Sequence, residues 1–98
     1  MKTMTPEEVK QVIEQGMKYS IIDVREAEEL LEGKIPGAMH IPLGELEVKL
    51  NMLDKNEKYI MVCRSGNRSG MASRFLEGCG YDVTNMDGGM MNWSGEVE

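Results

Sequence analysis

Residues 59–69, YIMVCRSGNRS, contain the most informative residue of the sequence, Cys63. The first four residues of this stretch are apolar and typical of a buried strand, whereas the polar residues after Cys63 run into a helical pattern. A cysteine at such a junction faces the backbone N–H groups of the loop and the positive end of the helix dipole, and both favour a thiolate over a thiol. The stretch therefore predicts a strand, an anion-binding loop and a helix start, with Cys63 as a reactive sulfur nucleophile.

Length and charge limit the classes of protein to which the chain can belong. Its 98 residues suffice for one compact domain, and we expect a single domain over residues 1–98. With 17 acidic against 11 basic residues and a formal charge of −6, the chain lacks the basic surface that nucleic acid or an anionic membrane needs, so we expect neither as a partner. Three of its four arginines, Arg25, Arg64 and Arg68, lie in the segments with candidate chemistry. This local positive charge favours a small anionic substrate.

The sequence also suggests a compartment and argues against bound metal. No apolar run approaches the roughly 20 residues of a membrane span, and the first residues lack a signal-peptide core, so we expect a cytoplasmic location. Two cysteines cannot form a disulfide framework, and no cluster of potential ligands has metal-site spacing. The chemistry predicted for Cys63 requires no metal and no cofactor.

Strands and helices alternate along the chain. Thr5, Pro6 and Glu8 form a capping box for a first helix that should end at Gly16. Apolar patterns predict an amphipathic helix on either side of the Cys63 loop. The patterns comprise Leu43, Leu46, Leu50 and Leu53 before the loop, and Met71, Ala72, Phe75, Leu76 and Cys79 after it. Strands are predicted at residues 20–24, 38–41, 59–62 and 82–86, and a short acidic helix at residues 27–32. The alternation predicts parallel strands in a three-layer α/β domain.

Two polar segments follow predicted strands and should meet at one edge of the sheet. Asp23 and Arg25 end one strand and Cys63 ends another, and ligands of open α/β sheets bind outside the carboxyl ends of the strands. Gly66 supplies the backbone freedom of a tight loop, and the N–H groups of residues 64–69 can surround one central atom. The sequence therefore predicts a site for a sulfur anion at this edge.

Four motifs, taken together, resemble the single-domain rhodaneses, a family of sulfurtransferases. They are residues 23–26 (DVRE), 33–42 (GKIPGAMHIP), 63–69 (CRSGNRS) and 88–89 (GG) followed by Trp93, and they cover almost the whole chain in family order. The resemblance implies a five-stranded parallel sheet flanked by helices. It also implies a catalytic cysteine that takes a sulfane sulfur from a donor such as thiosulfate, holds it as a persulfide and passes it to a thiol or cyanide.

The resemblance and the residue chemistry together give each candidate residue a role. Cys63 is the nucleophile, and the loop that follows it binds the substrate through Arg64, Ser65, Gly66, Asn67, Arg68 and Ser69. Within this loop we expect Arg64 to contact the substrate and Arg68 to hold the loop.

Residues outside the loop are expected to be structural. Asp23 and Arg25 should form a supporting ion pair, His40 a structural hydrogen bond and Cys79 part of the core. The acidic run at residues 26–32 is typical of a solvated helix face, although some family members carry an arginine there, which puts thiosulfate affinity in question.

Two other functions fit parts of the pattern. The fold could serve as a sulfur carrier or as a non-catalytic module that docks a protein partner in a sulfur relay. A cysteine-dependent phosphatase or arsenate reductase is disfavoured because the Cys-x5-Arg signature of the phosphatases requires arginine at position 69, which is Ser69, whereas the arginine here lies at position 68.

Overall fold

A computed structural model describes residues 1–98 as a five-stranded parallel sheet with the strand order β1-β5-β4-β2-β3. The strands are β1 (Lys2–Met4), β2 (Ser20–Asp23), β3 (Met39–His40), β4 (Lys58–Val62) and β5 (Asp82–Met86). Two α-helices, α1 (Pro6–Glu14) and α2 (Asn67–Gly78), accompany the sheet. The predicted three-layer α/β fold with a five-stranded parallel sheet is confirmed. No helix of the structure is both long and apolar enough to cross a membrane.

Side chains of the central strand β4 alternate between the two faces of the sheet. Tyr59, Met61 and Cys63 belong to the core on one face, together with Ala72 and Leu76 of α2. The other face has a second core, which contains Val9 and Val12 of α1 and Ile60 and Val62 of β4. Because strand side chains alternate with period two, a cysteine one residue beyond β4 continues toward the α2 face.

The capping box at the first helix is present as predicted. Thr5 Oγ1 accepts a hydrogen bond of 3.1 Å from the N–H of Glu8, and Glu8 Oε1 accepts one of 2.9 Å from the N–H of Thr5. Gly16 follows the helix with a φ of 66°, a left-handed conformation that favours glycine. The helix buries Val9 and Val12 against the sheet.

Strand β1 has no counterpart among the strands predicted from residue patterns. It is an edge strand of three residues that pairs with β5, with Lys2 opposite Thr84 and Met4 opposite Met86. A stretch of three residues is too short to produce a readable strand pattern.

The helix predicted from the leucine repeat is instead irregular. Two short 3₁₀ helices, Leu43–Glu45 and Glu47–Met52, occupy this region, and Lys49 has a non-helical backbone with φ −109° and ψ 17°. Pro42 precedes the segment and Gly44 lies within it, and glycine is a poor helix former. The acidic helix at residues 27–32 is likewise a 3₁₀ helix.

Helix α2 packs against the sheet through small residues and through only part of the predicted apolar stripe. Ser69, Ala72, Ser73 and Leu76 are buried, whereas Met71 and Phe75 are 54% and 37% exposed. The small side chains bring the helix close to the sheet, and a Cβ atom added at Gly70 would lie 3.5 Å from the Asn85 side chain. The stripe prediction was therefore wrong for Met71 and Phe75. Cys79 is half-buried at the end of the helix.

Candidate active site

Cys63 and the Asp23–Arg25 segment lie side by side at the carboxyl edge of the sheet. Strands β2 and β4 are parallel neighbours, with Asp23 opposite Val62. Cys63 follows Val62 directly, and its side chain is buried at the start of the loop that leads to α2. The structure thus brings together the two segments for which the sequence predicted chemistry.

The loop after β4 surrounds the Cys63 sulfur with hydrogen-bond donors. The N–H of Gly66 lies 3.1 Å from Sγ, and the Ser69 hydroxyl lies 3.3 Å from it. Gly66 has a φ of 100° and immediately precedes α2, so the loop turns sharply and presents the start of the helix to the sulfur. The loop has the geometry of a small anion-binding nest.

These donors lower the pKa of the Cys63 thiol. Burial acts to raise this pKa, but hydrogen bonds from the Ser69 hydroxyl and from the backbone N–H groups of Ser69, Gly66 and Ser65 outweigh it. Hydrogen bonds to the charged form favour that form, and a thiolate is the nucleophilic state of cysteine. The net pKa lies below the ordinary value, as the position of Cys63 in the sequence predicts.

Replacing Ser69 with alanine should raise the pKa of the Cys63 thiol. The variant loses the hydroxyl donor to the sulfur, so the pH at which the thiolate forms moves upward. We expect the pH profile of Cys63 alkylation by iodoacetamide to shift toward higher pH, with slower labelling at neutral pH.

Ser73→Ala is the matched control for this change. Ser73 is also a buried serine of α2, but its hydroxyl donates to the Ser69 carbonyl and does not contact the sulfur. Its alkylation profile should overlay that of the wild type. An unshifted profile in Ser69→Ala would contradict the assigned hydrogen bond.

Arg68 is held by an acidic residue from outside the loop. Its Nη1 and Nη2 atoms donate to the two carboxylate oxygens of Glu29 over 2.6 and 2.8 Å. The hydrogen bonds from Arg68 lower the pKa of Glu29 to about 2, and those to Glu29 raise the pKa of Arg68. Arg68 therefore links the loop to the 3₁₀ helix Ala27–Glu32, and the expectation of a merely solvated acidic face was wrong for Glu29.

The pair formed by Asp23 and Arg25 is almost fully buried beneath the loop. Asp23 and Arg25 are 1% and 3% exposed, and Arg25 Nη2 lies 2.8 Å from Asp23 Oδ2. The same nitrogen donates to the Gly33 carbonyl over 2.9 Å, while His40 Nε2 lies 2.7 Å from the Arg25 carbonyl oxygen. Arg25 is thus engaged in an internal network, as is His40.

Arg64 differs from the other two arginines because it is exposed and forms no ion pair. It lines a cavity of about 340 Å³ whose wall includes Met90, Met91 and Trp93. Ser65 and Asn67 are also exposed on the loop. Of the two loop arginines, Arg68 is paired with Glu29 and Arg64 has no acidic partner.

The segment that follows β5 is hydrogen-bonded to the Cys63 loop. The N–H groups of Met90 and Met91 donate to the carbonyls of Cys63 and Arg64 over 2.9 and 3.0 Å. Gly89, just before them, lies so close to the loop that an added Cβ would be 2.3 Å from the Arg64 carbonyl oxygen. The sequence drew attention to Gly88 and Gly89 only through the family resemblance.

Asn85 is a supporting residue that sequence reasoning missed. Its amide Nδ2 donates to the Gly66 carbonyl over 3.1 Å, and its Oδ1 is buried with no hydrogen-bond partner. The one available signal was a carboxamide in the middle of an otherwise buried strand, where a polar group needs a partner. No group of three or more His, Cys, Asp or Glu side chains is placed to hold a metal ion.

Comparisons with known proteins agree with this geometry. The family model described as Rhodanese-like domain matches residues 5–96. Over 98 residues the chain is 41% identical to a protein of Bacillus subtilis (strain 168) named "Putative sulfurtransferase YtwF", and the match covers 100% of this chain and 95% of that protein. A second protein of this bacterium, named "Putative sulfur carrier protein YrkF", is 42% identical over 93 residues, with 94% of this chain and 50% of that protein covered.

A solved structure shows the same architecture. The rhodanese-like domain protein from Staphylococcus aureus superposes with a TM-score of 0.94 at 39% identity, and the alignment covers 100% of this chain and 97% of that one. The family resemblance inferred from the four sequence motifs is confirmed.

Proposed function

The chain belongs to the rhodanese-like domain family, and from this premise we propose that it is a sulfurtransferase that carries sulfane sulfur as a persulfide on Cys63. The observation that carries the proposal is the pair of donors, the Gly66 N–H and the Ser69 hydroxyl, directed at the sulfur at the end of β4. We further propose that residues 1–98 act as a single domain.

In the first half-reaction the Cys63 thiolate attacks the outer sulfur of the donor. With thiosulfate, the new bond joins Cys63 Sγ to the transferred sulfur, the sulfur–sulfur bond of thiosulfate breaks, and sulfite leaves with the bonding electron pair. The thiolate supplies the attacking electron pair, so no general base is required. The terminal sulfur of the persulfide carries the negative charge, and the loop N–H groups stabilise that charge.

In the second half-reaction a nucleophilic acceptor attacks the terminal sulfur of the persulfide. Cyanide becomes thiocyanate, or a thiolate becomes a new persulfide, and the Cys63 thiolate leaves. The same donors hold the thiolate at the beginning and the end of the cycle. Because Cys63 has no exposed surface, sulfur transfer requires the atoms that cover the sulfur to move.

The test is a comparison of reactions catalysed by the purified chain. Sulfur transfer to cyanide or a thiol should proceed with thiosulfate or an organic persulfide as donor, and hydrolysis of an aryl phosphate should be absent. The four residues between Cys63 and Arg68 leave a smaller loop than a phosphate is expected to need. Phosphate release that depends on Cys63, without sulfur transfer, would overturn the proposal.

A sulfur carrier is the second candidate, and the likeness to a protein named as a sulfur carrier favours it. This chain spans half of that protein, so a relay to a further protein is also a proposal. A carrier would accept one sulfur at Cys63 and keep it in the presence of cyanide, releasing it to a protein acceptor. A single-turnover measurement of persulfide decay with cyanide separates a carrier from an enzyme.

A further inference from the structure

The charges around the Cys63 loop are largely balanced before any substrate arrives. Arg25 is paired with Asp23, and Arg68 with Glu29. The cavity beside the loop is lined by Arg64 and Arg25 but also by Glu29 and Glu32. Among the three arginines near the loop, only Arg64 remains without an acidic partner.

We propose that Glu29 determines donor selectivity by holding Arg68, so that the site disfavours dianionic donors such as thiosulfate and favours organic persulfides with an uncharged body. This inference rests on the proposed function, because it concerns the donor that charges Cys63. Glu29 is a specificity-determining residue in this account and takes no part in the bond changes.

The geometry of the pair removes Arg68 from substrate binding. Both terminal nitrogens of its guanidinium donate to the Glu29 carboxylate, and this bidentate arrangement adds energy and geometric specificity to the ion pair. Glu29 also accepts a hydrogen bond of 3.0 Å from the N–H of Glu26, which fixes the carboxylate. A donor anion that approached Arg68 would have to displace a carboxylate held on both sides.

Donors differ in how much they depend on a free cation. Thiosulfate carries two negative charges in a very small volume, so it gains most from unpaired arginines and is repelled most by Glu29 and Glu32. An organic persulfide carries at most one charge on its reactive sulfur when the rest of the molecule is neutral. The paired charges therefore weaken the binding of thiosulfate more than that of the persulfide.

The cavity gives the organic part of such a donor a place to bind. Its volume of about 340 Å³ lies within the roughly 300–1,000 Å³ typical of pockets for organic ligands and greatly exceeds the space needed by thiosulfate. Met90, Met91 and Trp93 contribute apolar surface, and Met91 is 65% exposed. Arg64 of the Cys63 loop lines the same cavity, so an uncharged apolar group that covers these side chains would lie beside the loop.

The transfer from such a donor is balanced without a further reactant. The Cys63 thiolate attacks the outer sulfur of R–S–SH, the bond between the two donor sulfurs breaks, and RS⁻ leaves with the electron pair. Cys63 becomes Cys63–S–SH, and the proton stays on the transferred sulfur or passes to solvent.

Glu29→Gln tests the proposal because it removes the charge and keeps the shape and one acceptor oxygen. The readout is kcat/KM for thiosulfate and for benzyl persulfide, whose organic part is uncharged. We expect the variant to raise the value for thiosulfate by about 5- to 10-fold and to change that for benzyl persulfide far less. The gain for thiosulfate should shrink as salt is added, since salt screens the released Arg68 charge.

Glu28→Gln is the matched control, since Glu28 lies in the same 3₁₀ helix but is exposed and contacts no arginine. This variant should leave kcat/KM for both donors unchanged. A Glu29→Gln variant that accelerates both donors equally, or neither, would overturn the selectivity role.

Measurements on the wild-type protein provide a second test. If Glu29→Gln unfolds, the proposal is tested by the ratio of kcat/KM for the two donors in the wild-type protein. A higher kcat/KM for thiosulfate than for benzyl persulfide would overturn the proposal. If neither donor places sulfur on Cys63 of the wild type, the proposed function itself fails, which is a different result from a loss of selectivity.

Discussion

Replacing Cys63 with serine should abolish sulfur transfer from every donor. The hydroxyl is close in size to the thiol, and both the Gly66 N–H and the Ser69 hydroxyl remain in place to bond with it. An oxygen at this position is neither a thiolate nor able to hold sulfane sulfur as a persulfide, because the reaction forms a sulfur–sulfur bond. Turnover of thiosulfate with cyanide, followed as thiocyanate, should fall to the uncatalysed rate while the protein stays folded.

Cys79→Ser is the control that separates this effect from a general need for cysteine. Cys79 is half-buried at the end of α2, and it lies outside the Cys63 loop. Its replacement should leave turnover near the wild-type value. Activity that survives in Cys63→Ser and disappears in Cys79→Ser would show that Cys79, and not Cys63, is the reactive cysteine.

Replacing Gly89 with alanine should cause the largest loss of stability of any single methyl group added near the site. The added Cβ would lie 2.3 Å from the Arg64 carbonyl oxygen and 2.7 Å from that of Cys63, so backbone must move. Gly89 also has φ 62° and ψ −162°, a region of backbone conformation that is essentially restricted to glycine. The strain and the overlap together should lower the free energy of unfolding by about 3–5 kcal/mol.

The same change should impair the candidate site because the two clashing carbonyls belong to Cys63 and Arg64. The hydrogen bonds from Met90 and Met91 to these carbonyls cannot both persist if the loop moves away. We expect urea denaturation to show the lower stability, and sulfur transfer at low temperature, where the protein is folded, to be reduced as well.

Gly44→Ala provides the comparison for Gly89→Ala. No atom lies within 4 Å of a Cβ added at Gly44, and its φ is not positive. The free energy of unfolding should change by about 0.5 kcal/mol or less. Equal stability of the Gly44 and Gly89 variants would show that the loop and the segment after β5 are not packed as described.

Local patterns predicted the parts of the fold that local interactions determine. The capping box needs only Thr5 and Glu8, which lie three residues apart in the chain. The strand, loop and helix around Cys63 were predictable for the same reason, since the apolar run, the glycine and the helix start follow one another.

Contacts between distant segments were beyond the reach of these patterns. Glu29 and Arg68 are 39 residues apart, and nothing in either segment indicates which acidic residue meets which arginine. Similarly, the face of α2 that is buried depends on how closely the helix approaches Asn85 and the sheet. The small side chains of Ser69 and Ser73 are buried at this close approach, whereas Met71 and Phe75 are exposed. Cys63 could therefore be proposed as the nucleophile from the sequence, whereas the pairing of the charged residues around it required the structure.

In the proposed reaction Cys63 carries the transferred sulfur, and intact-mass spectrometry of the reduced protein after exposure to thiosulfate or benzyl persulfide can detect this sulfur. We expect a gain of one sulfur atom that peptide mapping places on Cys63 and that cyanide removes. Sulfur found on Cys79, or no gain in mass with either donor under conditions in which the protein is folded, would contradict the proposed reaction.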